Sequence, residues 1–213
     1  YYEKNKFGIR IENLVYVRKN KRSKFFTNLT MAPVIESGPC IRTLQMDYDD
    51  EVAYNGIQAI YDLARRGSDD PWMLTVSFTH PHSPFVISEE FWNLYDHEKI
   101  PLPTVPPLAL DEMDHLSRNL HFCQGRHEFT VTDAHRKNAK HAYYGMISYI
   151  DSKIEALRDA LIKTGMGDDT IIVFAADHGE MMGERGMWYK QHFFEWSARI
   201  PLIFHAPSRW KHN

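Results

Sequence analysis

The sequence predicts an α/β domain in which helices flank a central, mostly parallel sheet. Three observations carry this expectation. Residues 171–176 are a continuous apolar, β-branched run, too short for a buried helix, which is the pattern of a strand covered on both faces. Residues 133–163 precede it as a long helix. Its Tyr143, Ile147, Ile150, Ile154, Leu157 and Leu161 recur every three or four positions as a core stripe. Residues 72–79 are a second apolar strand that ends in two histidines.

Composition narrows the function classes. The 213 residues are enough to bury a real core, and 43% hydrophobic with 13% aromatic content marks a globular chain. A formal charge of −3 argues against a general nucleic-acid binder. No apolar run reaches membrane-spanning length, and nothing has the pattern of a signal peptide. Cys40 and Cys123 are too few for a disulfide framework and read as reduced thiols, so the expected compartment is the cytoplasm. Asn28-Leu29-Thr30 matches a glycosylation triplet that no secretion signal supports. The chain has no initiator Met and stops just past an apolar strand, so it is read as a piece of a longer enzyme.

In chain order, residues 9–17 alternate loosely and suit a strand or hairpin arm, and the basic run at 18–24 reads as a solvated loop. Residues 25–39 lack a period and hold Pro33, Gly38 and Pro39. Residues 1–42 are therefore expected to be an irregular segment entering the domain. A helix is predicted over 47–66, capped by Asp47 or Asp49. Its core face is Val52, Ile60, Leu63 and Ala64, and Gly67 stops it. Here the acidic cluster reads as capping. A short helix at 88–95 follows, then a Pro-rich extended loop at 101–107. His115, Arg118, His121, Arg126 and His127 have no metal-site spacing and fall in a partly helical insertion near the site mouth. His141 and Tyr144 on the long helix read as core packing. Gly165 and Gly167 end that helix, and residues 202–205 supply a third strand.

Chemistry concentrates at two strand ends. The run at 171–176 leads into Asp177-His178-Gly179, and in open α/β sheets ligands sit beyond the carboxyl ends of strands. An adjacent carboxylate and imidazole can offer oxygen and nitrogen to one metal ion. Standing alone, Asp177-His178-Gly179 reads first as a helix cap beside a satisfied surface histidine, and only the wider stretch reverses that order. Gly179, Gly183 and Gly186 are expected to let the loop turn sharply, and Lys190 closes it with a cation. At the other strand end, His80-Pro81-His82-Ser83-Pro84 sets two histidines in a proline-stiffened loop, which suits either a hydrogen-bonded loop or catalysis.

Taken together these stretches resemble the sulfatase family of the alkaline-phosphatase superfamily. Asp177-His178 matches its strand-end ligand pair, and Lys190 its sulfate-binding lysine. Glu195, Arg199 and Pro201 match the E-x-x-x-R-x-P pattern that opens the next helix. His82, followed by Ser83 and Pro84, matches a sulfate-contacting His-x-Pro; His80 does not, because Pro81 follows it directly. The wording of 183–195 and of the stretch from Thr43 is similar to the choline-sulfatase branch.

The resemblance implies an alkaline-phosphatase-like fold, with 43–213 as the central part of the catalytic domain. It implies a metal at Asp177 and His178, expected to be Ca2+ with Mn2+ or Mg2+ as alternatives. Lys190 and His82 are implied as catalytic, sulfate-binding residues, with His82 protonating the leaving oxygen. A formylglycine nucleophile is implied upstream. Neither Cys40 nor Cys123 lies in the C-x-P-x-R motif that produces one, so the span alone is expected to be inactive. The implied substrate is a small sulfate ester, choline sulfate first, in a full-length enzyme expected to be a homo-oligomer. A phosphonate monoester or phosphodiester hydrolase, and a non-catalytic binding module, are the alternatives.

Overall fold

Thr132 opens the longest helix among the described residues. Its hydroxyl accepts the His135 amide at 3.2 Å, and His135 Nδ1 accepts the Thr132 amide at 3.3 Å, so two otherwise orphaned donors are satisfied reciprocally. The computed structural model describes residues 15–19, 24–28, 37–67 and 70–207. In order, these contain strands β1 (Val15–Lys19), β2 (Lys24–Asn28) and β3 (Gly38–Cys40), then helix α1 (Leu44–Arg66). Strand β4 (Val86–Ser88) runs directly into α2 (Glu89–Trp92), followed by α3 (His115–Cys123) and the long helix α4 (Asp133–Lys163). Strand β5 (Ile172–Ala175), the short helix α5 (Glu195–Ala198) and β6 (Leu202–His205) complete the order.

The strands pair two by two. β3 and β4 are parallel, while β1–β2 and β5–β6 are antiparallel. β1 begins within the stretch at 9–17 expected to form a strand or hairpin arm, of which residues 9–14 lie outside the described residues, whereas β2 and β3 fall where an irregular segment was expected over 25–39. Of the basic run at 18–24, residues 20–23 lie outside the described residues, as do Leu29 and Thr30 of the glycosylation triplet. Residues 72–79 stay extended, but they pair with no strand among the described residues. Leu74, Val76 and Phe78 turn inward, while Met73, Thr75 and Ser77 turn out. β5 also departs from expectation. Ile172 and Phe174 face the core, but Val173 is 53% exposed, so only one face is covered among the described residues.

Helix α1 begins earlier than expected. Thr43, not Asp47 or Asp49, is its cap, accepting the Met46 amide at 3.1 Å, and Gly67 at φ 57 closes it in the left-handed conformation. Its buried face is Met46, Asp49, Ala53, Gly56 and Ile60; Val52, Leu63 and Ala64 are half-buried on its flank. Asp47 is left on the surface, where Arg42 bridges it to Asp50.

α4 has the expected bounds, but its deepest stripe is rotated from the predicted one. Ala139, Ala142, Gly145, Met146 and Tyr149 are buried, whereas Ile147 is 47% exposed. Small residues win the inner face because β4 and α2 lie against it. A Cβ on Gly145 would meet the Ile87 side chain at 3.0 Å and the Phe91 carbonyl oxygen at 3.1 Å. His141 packs as expected, stacked on Trp92 at 3.7 Å between ring centres. Its Nε2–H donates to the Trp92 carbonyl at 2.9 Å, so its Nδ1 accepts from His97 Nδ1 at 2.9 Å. Burial holds its pKa below the ordinary value.

Alanine is the better helix former by about 1 kcal/mol, yet Gly145→Ala is expected to destabilise the fold by about 1–3 kcal/mol, because the fully buried Ile87 side chain and the Phe91 backbone both stand in the way. Urea unfolding of the two proteins measures it, and an unchanged or raised midpoint would show that the α4–α2 contact is looser than described.

Candidate active site

Two loops meet because aromatic side chains next to them pack together. Phe85 follows the His82 loop and is fully buried. It stacks on Tyr189 at 6.2 Å and 16°, and it lies 6.1 Å from Trp188, the two residues that precede Lys190. Contacts of this kind add about 0.5–1.5 kcal/mol beyond the area they bury. The consequence is direct: Lys190 Nζ donates to His82 Nε2 at 2.7 Å across 108 residues of chain. His82 Nδ1–H donates to the Ser83 carbonyl at 2.8 Å, which leaves Nε2 as the lone-pair side facing the ammonium. Lysine and imidazole are in direct contact here.

The β5 strand end lies beside this pair. The His82 and His178 rings are 6.4 Å apart, edge to face. His178 Nδ1–H donates to the Gly179 carbonyl at 2.8 Å, so its Nε2 lone pair is available, 3.7 Å from Asp177 Oδ1. One cation with bonds of about 2.3 Å can bridge such a separation. Among the described residues no third carboxylate, thiolate or imidazole joins the pair into a larger cluster. The insertion histidines His115, His121 and His127 likewise form no such group.

Gly179 has a role other than the expected turn. It is absent from the left-handed residues; a Cβ there would stand 2.0 Å from the Trp196 carbonyl oxygen and 3.0 Å from that of Arg199. The close approach serves hydrogen bonding. The Gly179 amide donates to Ser197 at 2.8 Å and the Glu180 amide to Trp196 at 2.7 Å, which satisfies carbonyls that the short helix α5 cannot pair internally. Gly183 and Gly186 do take positive φ, at 86° and 66°. So do Tyr189 at 65° and Gln191 at 79°, on either side of Lys190. Non-glycine residues in that region cluster at functional sites. The Glu195–Arg199 pair at 3.4 Å is highly exposed and contributes little.

Buried carboxyl groups brace these loops, and the sequence reading missed their part in the site. Asp49 Oδ1 accepts the Thr79 amide at 2.7 Å and its hydroxyl at 2.9 Å, while Oδ2 accepts the His80 amide at 2.9 Å and Nδ1–H at 2.6 Å. Gln45, one turn earlier on α1, donates to the His82 carbonyl at 3.0 Å. Glu180 Oε1 accepts the amides of Met182 at 3.2 Å and Tyr189 at 2.5 Å, and burial pushes its pKa up to about 7 against those bonds and Lys190. Glu184 holds Thr104 and Val105, which fastens the Pro-rich loop at 101–107 over the glycine loop. A signal existed for Asp49, since it occupies a core-face position on α1. Cys40 is half-buried with its thiol pKa raised by burial, unlike an activated nucleophile.

The sulfatase family model matches residues 2–213. The chain belongs to the sulfatase family. It is 44% identical over 180 residues to the choline-sulfatase of Rhizobium meliloti (strain 1021), covering 83% of this chain and 35% of that protein. To an arylsulfatase of Clostridium perfringens it is 32% identical over 151 residues, covering 70% and 31%. The phosphonate monoester hydrolase of Agrobacterium radiobacter superposes with a TM-score of 0.60 at 25% identity, covering 80% of this sulfatase-family chain and 36% of that one. The chain thus spans about a third of the length of the curated relatives it matches. Its fold is that of the alkaline-phosphatase-like sulfatases.

Two outcomes follow from this geometry. Gly179→Ala is expected to lower stability by about 3 kcal/mol or more, since the obstructing atoms are backbone; thermal unfolding measures it, and wild-type stability would show that α5 does not lie against this loop. Asp49 is one source of pH dependence. Burial works to raise its pKa, but the hydrogen bonds from His80 and Thr79 outweigh burial and the folded value lies below the ordinary 3.8. Its stabilisation is therefore present above about pH 4 and is lost as pH falls through the folded value. Asp49→Asn should be destabilised at neutral pH, with the gap to wild type closing in acid; a gap that stays constant down to pH 2 would contradict this.

Proposed function

We propose that these residues are the sulfate-binding half of a sulfuric-ester hydrolase whose first substrate is choline sulfate. The observation that carries the reading is the 2.7 Å contact of Lys190 with His82 beside Asp177 and His178. The 44% identity to a choline-sulfatase supports the choice of substrate.

The chemistry follows from the hydrogen bonds. Lys190 supplies a preset positive charge for one non-bridging oxygen of the ester. An arriving anion takes the Lys190 proton donor away from His82 and accepts it instead. His82 has its Nδ1–H committed to Ser83, so it can donate only from Nε2, and only as the imidazolium. The anion's negative charge favours that protonation next to Lys190. The Nε2 proton then passes to the leaving oxygen as an incoming nucleophile bonds to sulfur and the ester S–O bond breaks, which returns His82 to its neutral form and releases the alcohol. Asp177 and His178 Nε2 are the residues that would hold a divalent cation, Ca2+ first and Mn2+ or Mg2+ as alternatives, whose contribution is to polarise a sulfate oxygen. The nucleophile, a formylglycine, is expected from outside these residues.

The likeness to phosphonate monoester hydrolases favours a second reading, in which a phosphonate monoester takes the same position. Turnover by the full-length protein separates the two. On the first reading kcat/KM for choline sulfate exceeds that for a phenylphosphonate monoester by at least about 10²-fold; a larger value for the phosphonate would reverse the assignment. His82→Ala is expected to slow choline sulfate hydrolysis by about 10²–10⁴-fold and an aryl sulfate by less, because a phenolate leaves without a proton more readily than an alkoxide. Equal losses on the two esters would remove the proton-donor role and leave His82 with sulfate binding.

A further inference from the structure

We propose that Asp49 of α1 is a positioning residue for His82, acting together with Gln45. This rests on the reading of His82 as a residue that meets the substrate. Asp49 is fully buried, and a lone buried carboxylate is a poor way to stabilise a helix face, where an apolar residue of similar size would cost less. What Asp49 provides is geometry. Both oxygens receive two hydrogen bonds each, all from Thr79 and His80, which fixes the start of the loop in position and in rotation. The His82 amide closes the turn onto the Thr79 carbonyl at 3.0 Å, and Gln45 takes the His82 carbonyl from the same helix face. The backbone of His82 is thus held at both its amide and its carbonyl.

Helix α1 is itself fastened to α4. Tyr149 O–H donates to the Met46 carbonyl at 2.9 Å and lies 2.8 Å from Asp50 Oδ1, which also pairs with Lys153 at 2.5 Å. The chain of contacts α4, α1, Asp49, turn 79–82 ends on Nε2 of His82, against Lys190. His80 is the linking piece, its ring buried 5.0 Å from that of Tyr149. Its place in the histidine loop is therefore structural, and that of its neighbour two residues on is chemical.

A double-mutant cycle in the full-length protein tests this. Asp49→Asn keeps the shape but turns an amide N–H toward groups that are themselves donors, so kcat/KM for choline sulfate is expected to fall about 10²-fold, the scale of an ångström's misplacement. Gln45→Ala, a partly exposed and milder change, is expected to lower kcat about tenfold with the melting temperature unchanged, and it carries the test if Asp49→Asn does not fold. In a His82→Ala background each loss should shrink to within about twofold, because there is no imidazole left to misplace. Losses that multiply in that background would mark Asp49 and Gln45 as merely structural and overturn the inference while leaving the His82 reading intact. A His82→Ala enzyme with wild-type turnover would instead remove the site reading, and this inference with it.

Discussion

Phe85 against Trp188 and Tyr189 is the contact on which the rest of the site depends. The His82 loop and the Lys190 loop are far apart in the chain. Burying Phe85 and Trp188 contributes about 1.5–3 kcal/mol for each side chain, and that burial is available only when the two loops lie side by side. The polar residues just outside the aromatic cluster are carried into contact as a result. Lys190 follows Tyr189 directly and His82 lies three residues before Phe85, so a hydrophobic contact sets the distance between lysine and imidazole.

Hydrogen bonds then refine what packing has brought together. Asp49, Glu180 and Glu184 each accept two or more backbone amides from the loops, and Asp49 also takes the Thr79 hydroxyl and the His80 ring. A buried carboxylate paired in this way is highly directional, because moving the loop by an ångström strips several charge-assisted bonds at once. The loops of this site consequently have few alternatives open to them. This is the arrangement that preset electrostatic stabilisation of an oxyanion needs, since donors that must reorganise during the reaction lose their advantage. The left-handed Tyr189 fits the same account: its strained backbone beside Lys190 persists because Glu180 accepts its amide and Phe85 stacks on its ring.

The strands tell a different story. β5 and β6 pair through four residues each, yet Val173, Leu202, Ile203 and Phe204 all present apolar surface to solvent. Because Leu202, Ile203 and Phe204 are consecutive, apolar surface is exposed on both faces of β6, which is unusual for a covered sheet. The site does not rest on that surface. Asp177 and His178 leave the strand end and are held by α5 through the Gly179 and Glu180 amides, all of which lie within residues 177–199.

The sequence by itself determined the elements whose signals are local. Helix α4 has the expected bounds because its caps and its apolar period lie within its own residues, and β6 coincides with its apolar run. The four candidate site residues came from the same kind of local signal, each at the end of an apolar strand or in a punctuated loop, but it is the packed chain that brings them side by side. Tertiary structure decided everything that depends on a distant neighbour. Gly145 is buried where Ile147 is not because β4 and α2 press on one side of α4, which no period reveals. Gly179 is a glycine on account of the Trp196 carbonyl and not of its own φ. Asp49 reads as a helix cap by position, and becomes the clamp on the histidine loop only because residues 79 and 80 return to it across 30 residues of chain. Propensity and period report on an element's own backbone and on its need for burial; which partner fulfils that need is a property of the packed chain.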